Sequence, residues 1–206
     1  MKLINNRSSL PTSQSNPIAL AVIENYGSAE NFVRKFNPDK AGYCSRHLPE
    51  AIAKECPSLA VASVAYGEQV TTALLATHIT VTIVRMGEEV QMTADDVRFI
   101  AEGIAGNEKA RLLTMASVLA FFYRMACGEF KIYGKLTPRT FLEAFNEYAE
   151  KALATERQLK AEAAKSRERQ ARQEHDAIAI TYDEYKQLCG IDDDNPLEHY
   201  ERIKTD

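Results

Sequence analysis

The sequence predicts an all-α protein: a small multi-helix bundle with a long charged C-terminal helix and short docking helices after it. Two observations predict the bundle. Apolar residues recur at spacings of three and four through much of the first 153 residues, and residues suited to capping helices precede these runs at Asn16, Ser28, Thr93, Asn107 and Thr137. A third observation predicts the charged helix. From Thr155 to Asp176 the only large apolar residue is Leu159, set among Ala and alternating charges, as on a helix that faces water.

The elements follow in order. Residues 1–15 are polar and predict a flexible start. Asn16 with Pro17 opens a helix that Gly27 stops, with Ile18, Val22, Ile23 and Tyr26 on its apolar side. Ser28 caps a second helix through Phe36, and Asn37 to Gly42 reads as a loop. A short helix from Leu48 ends before Pro57, and Ser58 restarts an apolar run. Between Val70 and Met86 the β-branched residues suit a strand, but the length of the run and the lack of a partner strand nearby decide for a helix.

Thr93 and Asp96 form a capping box ahead of a stripe of Val97, Ile100, Ala101 and Ile104. After Gly106, Asn107 is expected to cap one long apolar helix, with Leu112, Met115, Leu119, Phe122 and Ala126 on its main face, which Gly128 closes. An aromatic turn follows, and Thr137 with Pro138 then starts the longest helix. To Ala177 it would measure about 60 Å, so its second half is expected to leave the core. Thr181 with Glu184, then Asn195 with Pro196, predict two short helices in the tail. The expected organisation is therefore a helical core over 16–153, a solvated charged helix over 154–177 and an acidic tail over 178–206.

Charge narrows the function classes. The net charge of −4 is concentrated late, with 3 basic and 8 acidic residues in 177–206, and no segment exceeds +2. A nucleic-acid binder usually carries a basic face, so such binding would need a patch assembled in three dimensions. The start of the chain lacks the apolar run of a signal peptide, no stretch approaches the length of a membrane span, and four scattered cysteines make no disulfide framework. A cytoplasmic protein with reduced thiols is expected, away from the membrane.

Motifs of catalysis and nucleotide binding are missing: Gly134-Lys135-Leu136-Thr137 lacks the spacing of a phosphate loop, and there is no nucleophile elbow or His-Glu-x-x-His. No cofactor is implied. Three weaker constellations remain. Cys44, His47 and Cys56 include one pair at zinc-ligand spacing, whereas structural sites usually show two. Arg157, Lys160, Lys165, Arg169 and Arg172 line one helix and could meet phosphates, yet Glu156, Glu162, Glu168 and Glu174 lie among them. His78 falls on an apolar face, as a hydrogen-bonded core histidine would.

The aromatic turn is the main candidate interface. Phe122, Arg124, Phe130, Tyr133 and Lys135 gather beside glycines, the composition of an interface anchor but more often of a helix corner packing on itself, since exposed aromatics are the exception.

Tyr66-Gly67-Glu68, Phe121-Phe122-Tyr123-Arg124, Gly128-Glu129-Phe130, Tyr133-Gly134, Pro138, Phe145 and Tyr148 together carry a resemblance over about residues 60–153. The chain resembles a family of small helical proteins of unknown function encoded by Bacteroides-like gut bacteria, often within prophages and other mobile elements. The resemblance implies a helical fold and a mobile-element setting, but no reaction. The layout is loosely similar to small phage replication accessories that load or restrain helicases. The expected function is a non-enzymatic interaction protein that contacts an unidentified protein partner, in this setting the replication machinery, with self-association through the long helix as a variant. The alternatives are a nucleic-acid binder using the Arg-rich helix and a metal module on Cys44, His47 and Cys56.

Overall fold

In a computed structural model, residues 16–54, 56–87, 92–179 and 182–189 are described here. They form helices joined by short turns, with no strand among them and one isolated antiparallel bridge, Ser58 to Thr114. The expected all-α bundle is what the chain adopts. It divides into two compact units, Met1–Ala161 and Glu162–Asp206.

The first unit opens with α1 (Pro17–Tyr26), whose N-terminal amides at Ile18 and Ala19 donate to the Asn16 side chain, and α2 (Ala29–Lys35), capped by Ser28. A 3₁₀ turn at Pro38–Lys40 leads into α3 (Ala41–Arg46), then α4 (Leu48–Ala53), α5 (Leu59–Tyr66) and α6 (Glu68–Met86). Helix α3 lies partly where the sequence predicted a loop. Its N-terminus has no side-chain cap to announce it, and it continues directly from the 3₁₀ turn.

Helix α7 (Ala94–Gly106) begins at the predicted capping box, with both reciprocal bonds present between Thr93 and Asp96. Beyond it the expectation fails in one place. Asn107 caps only the short α8 (Glu108–Leu112), and a second cap at Thr114 starts α9 (Met115–Ala126). The break turns Leu112 outward, 52% exposed, and buries Leu113 completely. The interruption is held by backbone bonds: Leu59 N–H donates to Leu113 O at 2.9 Å and Met115 N–H to Pro57 O at 2.8 Å.

Helix α9 is the spine of the core. Met115 to Phe122 are all buried, and Phe121 meets Phe141, Phe145 and Tyr148 at ring separations of 5.7, 4.9 and 5.3 Å. Those partners lie on α10 (Pro138–Ile178), which therefore packs through its first turns as predicted. At 1.5–3 kcal/mol per buried large apolar side chain, this aromatic cluster is a major share of what holds the unit together.

The second unit comprises the remainder of α10 and α11 (Tyr182–Cys189). Residues 164–176 are exposed throughout, as their charge pattern predicted. The boundary expected at residue 154 is too early, however: Glu156 is buried in the first unit. The expected N-terminal segment 1–15, the Thr181 cap and the last short helix at Asn195 and Pro196 lie outside the described residues.

Candidate functional site

Helices α3 and α9 pack at unusually close range because position 42 carries no side chain. A Cβ on Gly42 would stand 2.9 Å from Cε2 of Tyr123, inside van der Waals contact. Beside this crossing the surface opens into a groove of about 790 Å³. The buried Phe36, Gly42 and Cys44 with half-buried Ala126 make its apolar floor, and Tyr43 and Tyr123 line it as well.

The floor is fixed from beneath by His78. This histidine is 1% exposed, its Nε2–H donates to the Phe36 carbonyl at 2.7 Å, and its ring stacks on Phe122 at 5.3 Å. Burial lowers its pKa to about 4, a shift that the nearby Arg85 reinforces and the bond to Phe36 opposes. The imidazole is therefore neutral at physiological pH, and its Nε2 proton is committed to tying the end of α2 to α6. His78 is the hydrogen-bonded core residue that the sequence predicted.

The rim of the groove is cationic: Lys35, Lys40, Arg46 and Arg85 stand against a single acid, Asp39. Lys35, Arg46 and Arg85 belong to the last turns of α2, α3 and α6, where a cation offsets the carbonyl end of a helix. Each end carries about half a unit of negative charge, less than the side chain beside it, so the rim stays positive. Asp39 pairs with Arg85, at 3.5 Å between two exposed side chains, and Lys35 sits over the Tyr26 ring at 4.6 Å. Lys40 and Arg46 have no ion-pair partner among the described residues. A cationic edge over an apolar floor suits an anionic ligand that also carries apolar surface.

The residues singled out in the sequence are placed differently. Phe122, 2% exposed, belongs to the core, and Phe130, half-buried, packs against it on Phe121 and Tyr148 at 5.0 and 6.1 Å. Arg124 is held by Glu129 at 2.6 Å. Of the five candidate residues, Tyr133, 86% exposed, and Lys135 are the ones that stand exposed to solvent. The corner packs on α9 and α10 through Phe130, which lies against Phe121 and Tyr148.

Arg157, Lys165, Arg169 and Arg172 are exposed on α10, whereas Lys160 bonds Glu156 at 3.1 Å. Cys44 and Cys56 are not joined by His47 into a ligand set: His47 Nδ1 pairs with Glu50 at 2.8 Å and its ring stacks on Tyr43. No group of three His, Cys, Asp or Glu among the described residues could hold a metal ion. Burial raises both thiols, Cys56 up to about 12, so neither is a thiolate ready to bind metal or act as a nucleophile.

Sequence reading missed the groove because its cations come from four separate elements and no local spacing joins them. The nearest signal was Gly42, which was read only as part of a loop. A second groove of about 820 Å³ runs between α6 and α7 over Ala73, Ala76, Val97 and Ala101. Its edge mixes Glu68 and Glu102 with Arg98, so charge selects no occupant there.

Fold and site together define an all-α protein with a cationic, apolar-floored groove on a helical core. No protein family, no curated protein and no solved structure matches the chain. Among the described residues, no helix is long and apolar enough to cross a membrane.

Proposed function

We propose that this chain is a non-enzymatic interaction protein, and that the groove between α3 and α9 is where it engages a partner protein. The observation that carries the reading is the positive rim over an apolar floor, on a chain whose net charge is −4. A local concentration of cations against the sign of the whole molecule steers an anionic partner to one place. The side chains best suited to chemistry are committed elsewhere: His78 to the Phe36 carbonyl, and Cys44 and Cys56 to burial as neutral thiols. The mobile-element setting implied by the resemblance, with the loose likeness of layout to phage replication accessories, suggests the class of partner: a protein of the replication machinery.

Affinity capture of tagged protein from its native host, with nuclease treatment, tests this reading when wild type is compared with a Lys40→Glu/Arg46→Glu double variant. The expected result is a set of replication proteins that survives nuclease and is lost with the variant. Recovery abolished by nuclease would move the function to nucleic-acid binding. Recovery unaffected by the variant would remove the groove as the site.

A further inference from the structure

We propose that the groove's occupant is a short acidic peptide segment of the partner protein, anchored by a large apolar side chain. The inference rests on the reading of the groove as a partner site and specifies what that site recognises. Lys40 and Arg46 have no ion-pair partner among the described residues, and the Arg85 pair with Asp39 is long and exposed. The carboxylates of an acidic peptide can therefore pair with these cations while displacing at most the one weak contact between Arg85 and Asp39. Exposed pairs of this kind contribute little, and a guanidinium holds a carboxylate through two parallel bonds.

The floor selects the rest of the ligand. Phe36 is buried, Gly42 has no side chain, and Ala126 and Cys44 are small, so the bottom of the groove is an apolar recess among larger neighbours. About 790 Å³ holds a few residues of extended peptide with one side chain inserted. A phosphate or other small anion would leave that recess unused.

Single-stranded nucleic acid fits less well. Its bases need successive open ring faces, whereas the Tyr123 ring lies against Gly42 and Phe36 is buried. Tyr43 is 55% exposed, but one face of its ring is covered by His47 at 4.4 Å. The four cations, moreover, all line one groove.

Fluorescence anisotropy with the full chain tests the proposal. The probe is a labelled peptide with a run of Asp followed by Leu-Phe. Comparison probes replace Leu-Phe by Ala-Ala or Asp by Asn, and oligo(dT) of the same charge provides the nucleic-acid arm. The acidic-apolar peptide is expected to bind tightest. Lys40→Ala or Arg46→Ala should weaken it about tenfold or more, and so should the Ala-Ala probe. Ala126→Leu, which fills the recess without touching a charge, should weaken the Leu-Phe peptide and leave the Ala-Ala peptide unchanged.

Equal binding of the Leu-Phe and Ala-Ala probes would overturn the anchored-peptide inference. Partner capture that still depended on Lys40 and Arg46 would then leave the groove as a partner site. Tighter binding of oligo(dT), lost in the same variants, would overturn both.

Discussion

The Glu156 carboxylate on α10 and the Ser117 hydroxyl on α9 meet at 2.5 Å in the interior of the first unit. The same carboxylate oxygen accepts from Thr114 N–H at 2.9 Å and from Thr114 Oγ1 at 2.8 Å, while the other faces Lys160 at 3.1 Å. An acid 1% exposed is thus the anchor for the start of α9, at the point where the apolar run is broken. A carboxylate is favoured there because the first amides of a helix lack intrahelical partners and the helix end is partially positive. Replacing Glu156 by Ala strands the buried Thr114 N–H and Ser117 hydroxyl and leaves the Thr114 hydroxyl only its longer bond to Ser117 at 3.3 Å, and the expected loss is about 3 kcal/mol in urea unfolding. Gln retains an acceptor oxygen and should lose less. Equal stability of E156A and wild type would remove the anchor role.

Gly42→Ala should reverse the usual sign of a helical glycine substitution. In an unobstructed helix the change gains roughly 0.5–1 kcal/mol. Here the new methyl would stand 2.9 Å from the Tyr123 ring, and overpacking of this kind costs about 1–3 kcal/mol. The expected net effect is destabilisation, relieved when Tyr123→Leu is added. A double-mutant cycle by urea denaturation reads the coupling, and additivity of the two changes would rule out the close approach as its cause.

His78 makes stability depend on pH in the mildly acid range. Its folded pKa of about 4 lies below the ordinary 6.5, so between these values the unfolded chain binds the extra proton. The contribution of His78 is fully present above pH 6.5, declines as pH falls, and stops declining below about 4. Across the whole window the loss approaches about 3 kcal/mol. His78→Gln keeps a donor near the Phe36 carbonyl but does not titrate in this range. Its stability should be flatter than wild type between pH 6.5 and 4, and parallel profiles would contradict the assignment to His78.

Ending the chain after Ala161 should leave the first unit's unfolding midpoint unchanged. Residues 164–176 are exposed and so bury little that a truncation would lose. The truncated protein should unfold in one transition at the wild-type urea concentration, with lower helical ellipticity because part of α10 is gone. A midpoint shifted downward would mean that the second unit contributes to the stability of the first.

How far the sequence could be read depended on the distance between interacting residues. Asn16, Ser28, Thr93 and Thr137 were legible as helix starts because each acts on amides two or three residues ahead. Thr114 acts in the same local way, on the Ser117 amide at 3.2 Å, but it sits inside one continuous apolar run that hides the break, and the Glu156 carboxylate that also holds it lies 42 residues further along the chain. Glu156 itself read as one more charge on a solvated helix. The i, i+4 spacing revealed its link to Lys160 but nothing about Thr114 or Ser117. The groove was hidden for the same reason: Lys35, Lys40, Arg46 and Arg85 meet only after α2, α3 and α6 have packed.

The aromatic turn gives the sharpest test of sequence against structure. Its composition suggested an interface on which Phe130 and Tyr133 acted together, but the fold separates them. Phe130 touches Phe121 and Tyr148, whereas Tyr133 is 86% exposed. Phe130→Ala should therefore cost about 1–2 kcal/mol, less than a fully buried aromatic because Phe130 is half-buried, with any loss of binding following the loss of stability. Tyr133→Ala should change stability by less than about 0.5 kcal/mol. It should also leave peptide binding unchanged, because Tyr133 does not line the groove. If Tyr133→Ala abolished partner capture while Lys40→Glu/Arg46→Glu left it intact, the recognition surface would lie on the turn and not between α3 and α9.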